Sequence, residues 1–600
     1  MALISNFIAR LRSNPRALYT FPTYVSTILI FVGVAWLFLL PLDDYSRHTY
    51  ISENALLPGQ VHTYFSGSEQ NIFRGYRAEI DSVKDSHYES ISQKVQTILK
   101  ESGLKVATQN YSYDSAGVSY SGQNVYGIIQ APRGDATEAI VLVAAWKTIE
   151  EELNLNGVTL ALSLARYFKR WSLWSKDIIF LITPDSRAGA QAWIDAYHDM
   201  HPPSVDPLPL KSGSLQGAVA FEYPFDHKFN SLHIVYDGVN GQLPNLDLFN
   251  IAVLISNGQM GIPTSLQRMY EHDDSYSERL QTMLRGMMTQ GLGYSAGLHS
   301  SFIPYHIDAI TLQAIGDGWQ DEMAFGRTIE SIVRSLNNLL EHLHQSFFFY
   351  ILMQTNRFVS IGTYLPSAML IAGNFTIMAI ALWLKSGTPL DLKSPDDIKS
   401  KEVEAKVQAA ANGAIAIERH MALPLTLTVG LHFLGFFPLT IFNGIHQQHA
   451  ATFFELFCVL STFIPIILAI IIRQKFSPSV QELALVKSFS LLLLGLFLST
   501  LATLNFSLSL FIGLLCIPVT YIGYTESSSM DGVFRQSKTL RRCFRILQLI
   551  GLNLISPTAV ILLGSHYFNI PMEKILAEAA FAWNVWGMWT QVTVWGSGPS

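Results

Sequence analysis

A carboxylate and an imidazole stand beside predicted strands in the first half of this chain. Glu222 follows the apolar run 217–221, and His299 precedes the apolar run 309–314. Such side chains bind zinc and can also transfer protons. Four further carboxylates follow strand-like runs and could join them by a shift in register: Asp185, Glu150, Glu151 and Glu152. The pair indicates either hydrogen-bonded residues of the core or a single-metal or proton-transfer site.

The runs that would position these residues alternate between strand-like and helical patterns. Short apolar runs predict buried strands at 124–130, 139–145, 177–183, 217–221 and 309–314. Helical spacing predicts helices at 157–170, 188–198, 275–290 and 321–345. Asn245 is the expected N-cap of another helix. This alternation predicts an α/β domain with a mostly parallel sheet flanked by helices.

Long apolar runs predict a multi-pass membrane protein with eight spans. The first run, 22–42, carries no charge and lacks a small-residue cleavage site, so we expect a retained signal-anchor. The other seven are 366–384, 421–442, 451–472, 486–504, 508–524, 546–564 and 575–595.

Basic residues predict the orientation of these spans. Arg10, Arg12 and Arg16 precede the first span, and the loops after alternate spans are rich in lysine and arginine, which places both termini in the cytosol. The expected organisation is a cytosolic N-terminus at 1–21, the signal-anchor at 22–42, a translocated α/β domain at 43–365 and a seven-span region at 366–600. The loop at 385–420 is then cytosolic, with a charged, alanine-rich helix at 399–419.

Composition narrows the possible compartments and partners. The chain is 49% hydrophobic and 14% charged with a net charge of -6, which suits a hybrid of membrane and globular parts and gives no reason to expect nucleic acid as a partner. All three cysteines lie beyond the α/β domain, which must therefore fold without disulfides. The triplet starting at Asn110 matches an N-glycosylation acceptor, expected in a surface loop.

Polar residues within or beside the predicted spans are further candidates for function. Glu455 lies in the fourth span, while Glu578 and Asn584 lie in the last span, which Lys574 precedes. Buried polar groups in membranes contact neighbouring helices or line functional cavities. These residues therefore predict either helix contacts or a cavity for a lipid headgroup.

The order of strands and helices resembles the di-zinc exopeptidase family, which includes aminopeptidases and glutaminyl cyclases. In that family His-x-Asp, Asp-Asn-x-Ser-Gly and Glu-Glu motifs supply most zinc ligands. Here Trp146-Lys147-Thr148, the turn at 153–156 and the run 184–187 stand in their places, and only Glu222 and His299 match. A cationic side chain at a ligand position repels a metal ion. The resemblance implies the exopeptidase scaffold without a zinc pair or other cofactor.

Longer runs resemble the anchor-attachment (Gaa-type) subunits of glycosylphosphatidylinositol (GPI) transamidase. These runs are GVNGQLPNLDL at 238–248, LEHLHQSFFFY at 340–350 and RFVSIG at 357–362. The family implies a multi-subunit complex of the endoplasmic-reticulum membrane, with the α/β domain in the lumen. A separate caspase-like cysteine-protease subunit cleaves the proprotein, while the subunit resembled here recruits or positions the GPI lipid and holds the complex together.

The resemblance implies that this chain is a non-catalytic subunit of GPI transamidase. The GPI-binding candidates are then Lys574, Glu578, Asn584 and Glu455. The alternative is a metal-dependent, exopeptidase-like enzyme that forms or cleaves amide bonds. That alternative requires at least three carboxylate or imidazole ligands converging near His299.

Overall fold

The computed structural model describes residues 15–58, 62–387, 418–522 and 538–597. The chain forms two compact units. The α/β unit comprises Leu39–Thr363 together with Phe581–Met588, and the helical unit comprises Met1–Phe38, Tyr364–Ala580 and Trp589–Ser600. The predicted helix at 399–419 lies, but for its last two residues, outside the described residues.

The described strands all belong to the α/β unit. In chain order they are β1 (Arg47–His48), β2 (Lys105–Ser115), β3 (Val118–Ile129), β4 (Glu138–Lys147), β5 (Asp177–Asp185), β6 (Ser214–Glu222), β7 (Phe229–Val235), β8 (Thr264–Ser265), β9 (Ala309–Gln320), β10 (Tyr350–Gln354) and β11 (Arg357–Ser360). Strands β2 to β9 form one sheet in the order β2-β3-β5-β4-β6-β9-β7-β8, and β1, β11 and β10 form a small second sheet.

The large sheet is mixed rather than mostly parallel. Its neighbours β5-β4, β4-β6, β6-β9 and β7-β8 are parallel, whereas β2-β3, β3-β5 and β9-β7 are antiparallel. The prediction of parallel strands therefore holds for the centre of the sheet, and the antiparallel pairs lie toward its two ends. Strands β2 and β3 form a hairpin joined by Ala116 and Gly117, which both adopt positive φ.

The described helices follow in chain order. They are α1 (Pro15–Leu39), α2 (Ser68–Asp81), α3 (Tyr88–Glu101), α4 (Leu155–Lys169), α5 (Gly189–Tyr197), α6 (Leu246–Val253), α7 (Tyr276–Leu292), α8 (Glu322–Asn337), α9 (Ile361–Ser386), α10 (Ala422–Leu434), α11 (Phe436–Gly444), α12 (Gln447–Phe476), α13 (Val480–Leu504), α14 (Phe506–Tyr521), α15 (Lys538–Ile555), α16 (Pro557–Phe568), α17 (Met572–Asn584) and α18 (Thr590–Ser597).

The core of the α/β unit occupies both faces of the large sheet. Along β4, Ile140 and Leu142 belong to one apolar cluster, whereas Val141 and Val143 belong to the cluster on the other face. Successive side chains of a strand point to opposite faces, so a strand buried on both sides needs a continuous apolar run. The run at 139–145 meets that need, which explains why its strand was predictable.

Helix α8 ends eight residues earlier than the pattern of 321–345 predicts. Asp321 caps its start, where the carboxylate accepts a hydrogen bond from the backbone N–H of Ala324 at 2.9 Å. At its end, the Asn337 side chain accepts backbone N–H bonds from Ser175 and Lys176. This attachment fixes the last turn of α8 beside the start of β5, and Leu340 beyond the helix is exposed.

The helical unit contains fewer membrane-length helices than the eight spans predicted. Among the described residues, five helical segments are long and apolar enough to cross a membrane: Phe21–Leu39, Ile361–Ser386, Ala422–Gly444, Gln447–Phe476 and Val480–Leu504. A sixth would be the pair Ile546–Ile555 and Pro557–Phe568, which is bent by 68°. The predicted span at 508–524 corresponds to the shorter helix α14.

The predicted last span at 575–595 is not one helix. Helix α17 ends at Asn584, helix α18 begins at Thr590, and Gly587 between them has a φ of 64°. Residues Phe581–Met588, named here the docking segment, belong to the α/β unit. Its apolar composition resembles that of a span because its side chains pack in a protein core, which is as apolar as lipid.

Candidate functional site

The side chain of Asn154 forms hydrogen bonds at the carboxyl ends of two central strands, β4 and β6. Its side-chain NH₂ donates to the carbonyls of Ala145 in β4, at 3.0 Å, and Phe221 in β6, at 3.3 Å. Its side-chain oxygen accepts the backbone N–H of Tyr223 at 2.7 Å. Asn154 is fully buried. The turn before α4 therefore supplies an amide whose donors and acceptor are all taken by backbone groups, and the position of the carboxylate ligand in the exopeptidase pattern falls on its neighbour Leu153.

His299 is also completely engaged by protein groups. Its Nε2 lies 3.0 Å from the carbonyl of Asp237, which can only accept, so Nε2 carries the proton. Its Nδ1 then accepts from the Thr311 hydroxyl at 2.7 Å. Burial lowers the pKa of His299 to about 4, so the ring is neutral near pH 7. Both ring nitrogens are occupied, which makes this residue a hydrogen-bonded part of the core.

Glu222 stands at the end of a chain of hydrogen bonds that crosses three strands. The backbone N–H of Arg268 donates to Nε2 of His233 at 3.1 Å, and His233 Nδ1 lies 2.9 Å from the side-chain oxygen of Gln313. Gln313 in turn donates to Glu222 at 2.8 Å. Burial lowers the pKa of His233, which is consistent with a neutral ring that donates through Nδ1.

Only one oxygen of the Glu222 carboxyl group has a hydrogen-bond partner among the described residues. Its second oxygen is buried and has no hydrogen-bond partner within the described residues. The pKa of Glu222 is raised to about 7, mainly by burial and also by the nearby charges of Glu150 and Glu152, while the hydrogen bond from Gln313 lowers it. Gln313 and His233 were missed by sequence reasoning, although each is a polar residue inside an apolar strand run.

Three of the other four candidate ligands are engaged elsewhere. One oxygen of Asp185 accepts the backbone N–H groups of Arg187 and Ala188, both at 2.7 Å, and the other accepts the Tyr111 hydroxyl at 2.9 Å. Glu150 pairs with Arg268, and Glu151 lies 3.8 Å from both Lys147 and Arg187. Across the described ranges, no group of three or more His, Cys, Asp or Glu residues is arranged to hold a metal ion. These residues do not fit a zinc pair.

A cavity of about 1100 Å³ lies beside the Glu222 chain, between β7 and one face of α7. His233 and Gln313 form part of its wall, and Tyr294 lies at another part of it. Asp237 also borders the cavity and accepts hydrogen bonds from Gln267, Thr289 and Gln290. Burial raises the pKa of Asp237 to about 6. Of the two buried carboxyl groups, Asp237 therefore borders the open space, and Glu222 is connected to its wall through Gln313.

The docking segment packs on the sheet face that bears His299. Trp586 is buried, its indole N–H donates to the carbonyl of Arg187 at 2.9 Å, and its ring packs edge-on against Tyr294. The Asn584 side chain donates to the Ser115 hydroxyl at 3.1 Å, and Phe581 contacts the ring of Tyr120. The carboxyl edge of the sheet is therefore covered in part by a distant segment of the same chain.

The candidate lipid-binding residues are distributed over two helices. Lys574 and Glu578 lie one turn apart on α17, where Lys574 is exposed and Glu578 is half-buried. Asn584 ends the same helix but belongs to the docking segment, where it bonds to Ser115. Glu455 lies on α12 and is exposed. Lys574 and Glu578 are thus adjacent, whereas Glu455 lies on a separate helix.

A layer of neutral polar residues inside the helical unit was missed. The Ser26 hydroxyl of α1 donates to the side-chain oxygen of Asn374 in α9, and the Asn374 NH₂ lies 3.4 Å from the Thr520 hydroxyl of α14. All three residues are buried. Such contacts hold membrane helices together. An asparagine inside the second apolar run was the signal that could have found them.

Asn110 lies in strand β2, not in the predicted loop. Its side chain is exposed, donates to Asp206 at 3.0 Å and accepts from Gln123 at 2.8 Å. Those bonds would have to break before a glycan could be attached to the folded chain. Glycosylation at Asn110 therefore stays a prediction.

Comparison with known proteins identifies the family. The model of the family "Gaa1-like, GPI transamidase component" matches residues 121–597. GPI transamidase component gaa1 of Schizosaccharomyces pombe is 33% identical over 529 residues, which cover 85% of this chain and 84% of that relative. GPI transamidase component GAA1 of Saccharomyces cerevisiae is 34% identical over 531 residues, which cover 87% of this chain and 79% of that relative.

Among solved structures, the chain is similar to the glutaminyl cyclase of Fimbriiglobus ruber. Its TM-score is 0.32 at 10% identity, over 46% of this chain and 98% of that one. A zinc aminopeptidase of Bacillus subtilis gives a TM-score of 0.28 at 11% identity, over 44% of this chain and 94% of that one. The family model and the two yeast relatives together show the family: the chain belongs to the Gaa1-like family of GPI transamidase components.

Proposed function

We propose that this chain is a non-catalytic subunit of GPI transamidase that binds the GPI lipid and holds the complex together in the endoplasmic-reticulum membrane. Its α/β unit faces the lumen, the chain crosses the membrane several times, and both termini are cytosolic. The positions of Arg10, Arg12 and Arg16 before the first span support this orientation. A separate caspase-like cysteine-protease subunit carries out the cleavage and transfer.

The observation that carries the non-catalytic role is the engagement of the residues at the sheet edge. Both nitrogens of His299 and all the side-chain groups of Asn154 bond to the protein itself. A general base or metal ligand must instead present a free lone pair to a substrate or metal. One oxygen of Glu222 has no hydrogen-bond partner among the described residues, but that oxygen is buried, and the other accepts from Gln313. The scaffold therefore serves binding and assembly.

Glu222→Gln in the assembled complex tests this role. The substitution removes the charge while keeping the shape, and we expect GPI attachment to a reporter proprotein to stay within about twofold of wild type. A general base contributes roughly 10² to 10⁴ in rate. A loss of about 100-fold with assembly intact would contradict the proposal and restore the enzyme alternative. Substitution of the nucleophilic cysteine in the protease subunit is the control that abolishes attachment.

Lipid capture by the helical unit is the second part of the role. Lys574 supplies an exposed cation that can pair with a phosphate of the lipid. Glu578 on the next turn can accept hydrogen bonds from hydroxyl groups of the lipid's glycan. Lys475 at the end of α12 is equally exposed and lies on the side predicted to be cytosolic.

Co-precipitation of labelled GPI with the solubilised chain tests the lipid site. We expect Lys574→Glu to reduce recovery about tenfold, the effect of losing one charge-assisted contact of ~1.4 kcal/mol, and Lys475→Glu to leave recovery unchanged. Equal recovery with both variants would show that the lipid is held elsewhere. Deletion of the last predicted span is a poorer test because it also removes Trp586 from the α/β unit.

A further inference from the structure

Two neighbouring phenylalanines of the α/β unit are exposed beside the start of a membrane-length helix. The side chains of Phe348 and Phe349 are 42% and 50% exposed. The carbonyl of Phe349 accepts the backbone N–H of Ile361, the first residue of α9, at 3.2 Å. Apolar area left in water is unfavourable by roughly 25 cal/mol per Å². The position of the two rings beside α9 therefore indicates what covers them.

The length of α9 indicates the level at which it begins. The helix has 26 residues, which at ~1.5 Å per residue makes it roughly 39 Å long. The hydrocarbon core of a bilayer is ~30 Å thick, and the headgroup layers extend this to ~40–45 Å. A helix of this length that crosses the bilayer begins among the headgroups. The backbone of Phe349, which is bonded to the first residue of α9, then lies at the same level.

The other connection to the membrane carries a third exposed apolar side chain. Leu42 is 39% exposed and comes shortly after the apolar segment Phe21–Leu39. Strand β1, which follows, pairs with β11 so that Arg47 lies opposite Phe358, and this pairing holds the incoming and outgoing chains side by side. Exposed apolar side chains therefore lie beside both connections. The three, named here the apolar base, are Leu42, Phe348 and Phe349.

The charges that follow the apolar base in the incoming chain are neutralised within the α/β unit. Asp43, directly after Leu42, and Asp274 each form ion pairs with both Arg279 and Arg357, at 2.8 to 3.0 Å. The four residues form a closed ring with two positive and two negative charges. A ring without net charge gives no attraction to anionic lipids, so contact with a membrane depends on the apolar side chains.

We propose that the apolar base is immersed at the boundary between lipid headgroups and acyl chains, so that the α/β unit rests on the bilayer surface. Aromatic side chains favour this zone, and apolar faces of interfacial segments are buried about 5–10 Å into it. Two connections alone would tether the unit without holding its surface against the lipid. The inference requires only that the chain spans the membrane, and it does not depend on the non-catalytic role or on lipid capture at Lys574.

Electron paramagnetic resonance of the full chain in phosphatidylcholine nanodiscs tests the apolar base. A spin label is attached at Phe349→Cys after the three native cysteines have been replaced by serine. Oxygen concentrates among acyl chains and a nickel chelate stays in water, so the ratio of the label's collision rates with the two reports immersion. We expect this ratio to be at least about fivefold higher at Phe349→Cys than at Trp319→Cys. Trp319 is the matched control, because it is aromatic, 70% exposed and in a strand that is not connected to a span.

A second substitution separates immersion in lipid from burial in protein. Phe348→Asp places a charge beside the label, and because acyl chains exclude charge, it should lower the ratio at Phe349→Cys to that at Trp319→Cys. Leu254→Asp, at a position that is 47% exposed and outside the apolar base, should leave the ratio unchanged. The proposal is overturned if the labels at Phe349→Cys and Trp319→Cys give equal ratios, or if Phe348→Asp has no effect. Shielding of the Phe349→Cys label from both reagents would also overturn it, because protein would then cover the base.

Discussion

Asn154 in the α/β unit and Asn374 in the helical unit are both fully buried asparagines, yet their hydrogen-bond partners differ in kind. Asn154 bonds to three backbone groups at the ends of β4 and β6, whereas Asn374 bonds to the side-chain hydroxyls of Ser26 and Thr520. Backbone groups fixed in a sheet cannot turn to another partner, but hydroxyls on helices can bond to their own helix carbonyls. The stabilisation that a buried polar contact provides therefore depends on whether its partners can form other hydrogen bonds.

Asn154→Leu should give the largest effect. It leaves two carbonyls and one N–H without partners in the core, at about 1–3 kcal/mol each, so we expect a loss of about 5 kcal/mol in the free energy of unfolding of the α/β unit. Urea-dependent pulse proteolysis of the full chain in nanodiscs measures it. Asn257→Leu is the control, because Asn257 is exposed and bonds only to the Thr264 side chain. A loss below about 1 kcal/mol would remove the contrast with Asn374.

Glu222→Gln should change how stability depends on pH. The ordinary pKa is 4.5 and the folded one about 7, so between these values the folded chain keeps a proton that the unfolded chain has released. The contribution of this bound proton to the free energy of unfolding is fully present below pH 4.5 and is lost as pH rises toward 7. It amounts to about 3 kcal/mol in total. Asp237 and Asp308, with pKa values raised by burial to about 6 and 7, act in the same direction.

The measurement compares the variant with wild type at pH 4.5 and pH 8 by pulse proteolysis. We expect similar stability at pH 4.5 and a variant that is more stable by about 3 kcal/mol at pH 8, since glutamine has no charge to desolvate. Glu271→Gln, at an exposed position, should give no such difference. An unchanged pH profile for Glu222→Gln would mean that Glu222 titrates normally.

Asn374→Leu should give the smallest effect. Contacts between side chains of membrane helices contribute about 0.6–2 kcal/mol, so we expect a loss of about 1 kcal/mol in a detergent titration of the full chain. The loss should be the same at pH 5 and pH 8, because Ser26, Asn374 and Thr520 do not ionise. A loss above about 3 kcal/mol would show that the two asparagines are equivalent.

Much of the fold was predictable because its local patterns agree with its tertiary structure. The runs at 139–145 and 178–182 are apolar without interruption, and both lie in central strands. Asn245 was confirmed as a helix N-cap, since its side chain accepts the backbone N–H of Asp247 at 2.9 Å. Strand β2 was missed because buried and more exposed residues alternate along it, so it carries no continuous apolar run.

The candidate site was harder to predict. Glu222 and His299 were found, but their roles depend on Gln313, His233 and Asp237, which come together only through strand pairing. The break in the last predicted span had no local signal that outweighed its apolar composition. Burial of Trp586 in a protein core and burial in lipid require the same residue types, so composition could not separate them.

The docking segment also fixes an order of events during synthesis. The α/β unit is not contiguous, because Phe581–Met588 follows the main body by more than 200 residues of chain. At a synthesis rate of about 5–20 residues per second, the ribosome needs roughly 11 to 45 s after Thr363 before Trp586 is made. For that time the face around Tyr120 and Tyr294 lacks its covering rings. A chain truncated before Phe581 would stay in that state permanently, exposing to chaperones and degradation an apolar surface that the finished protein hides.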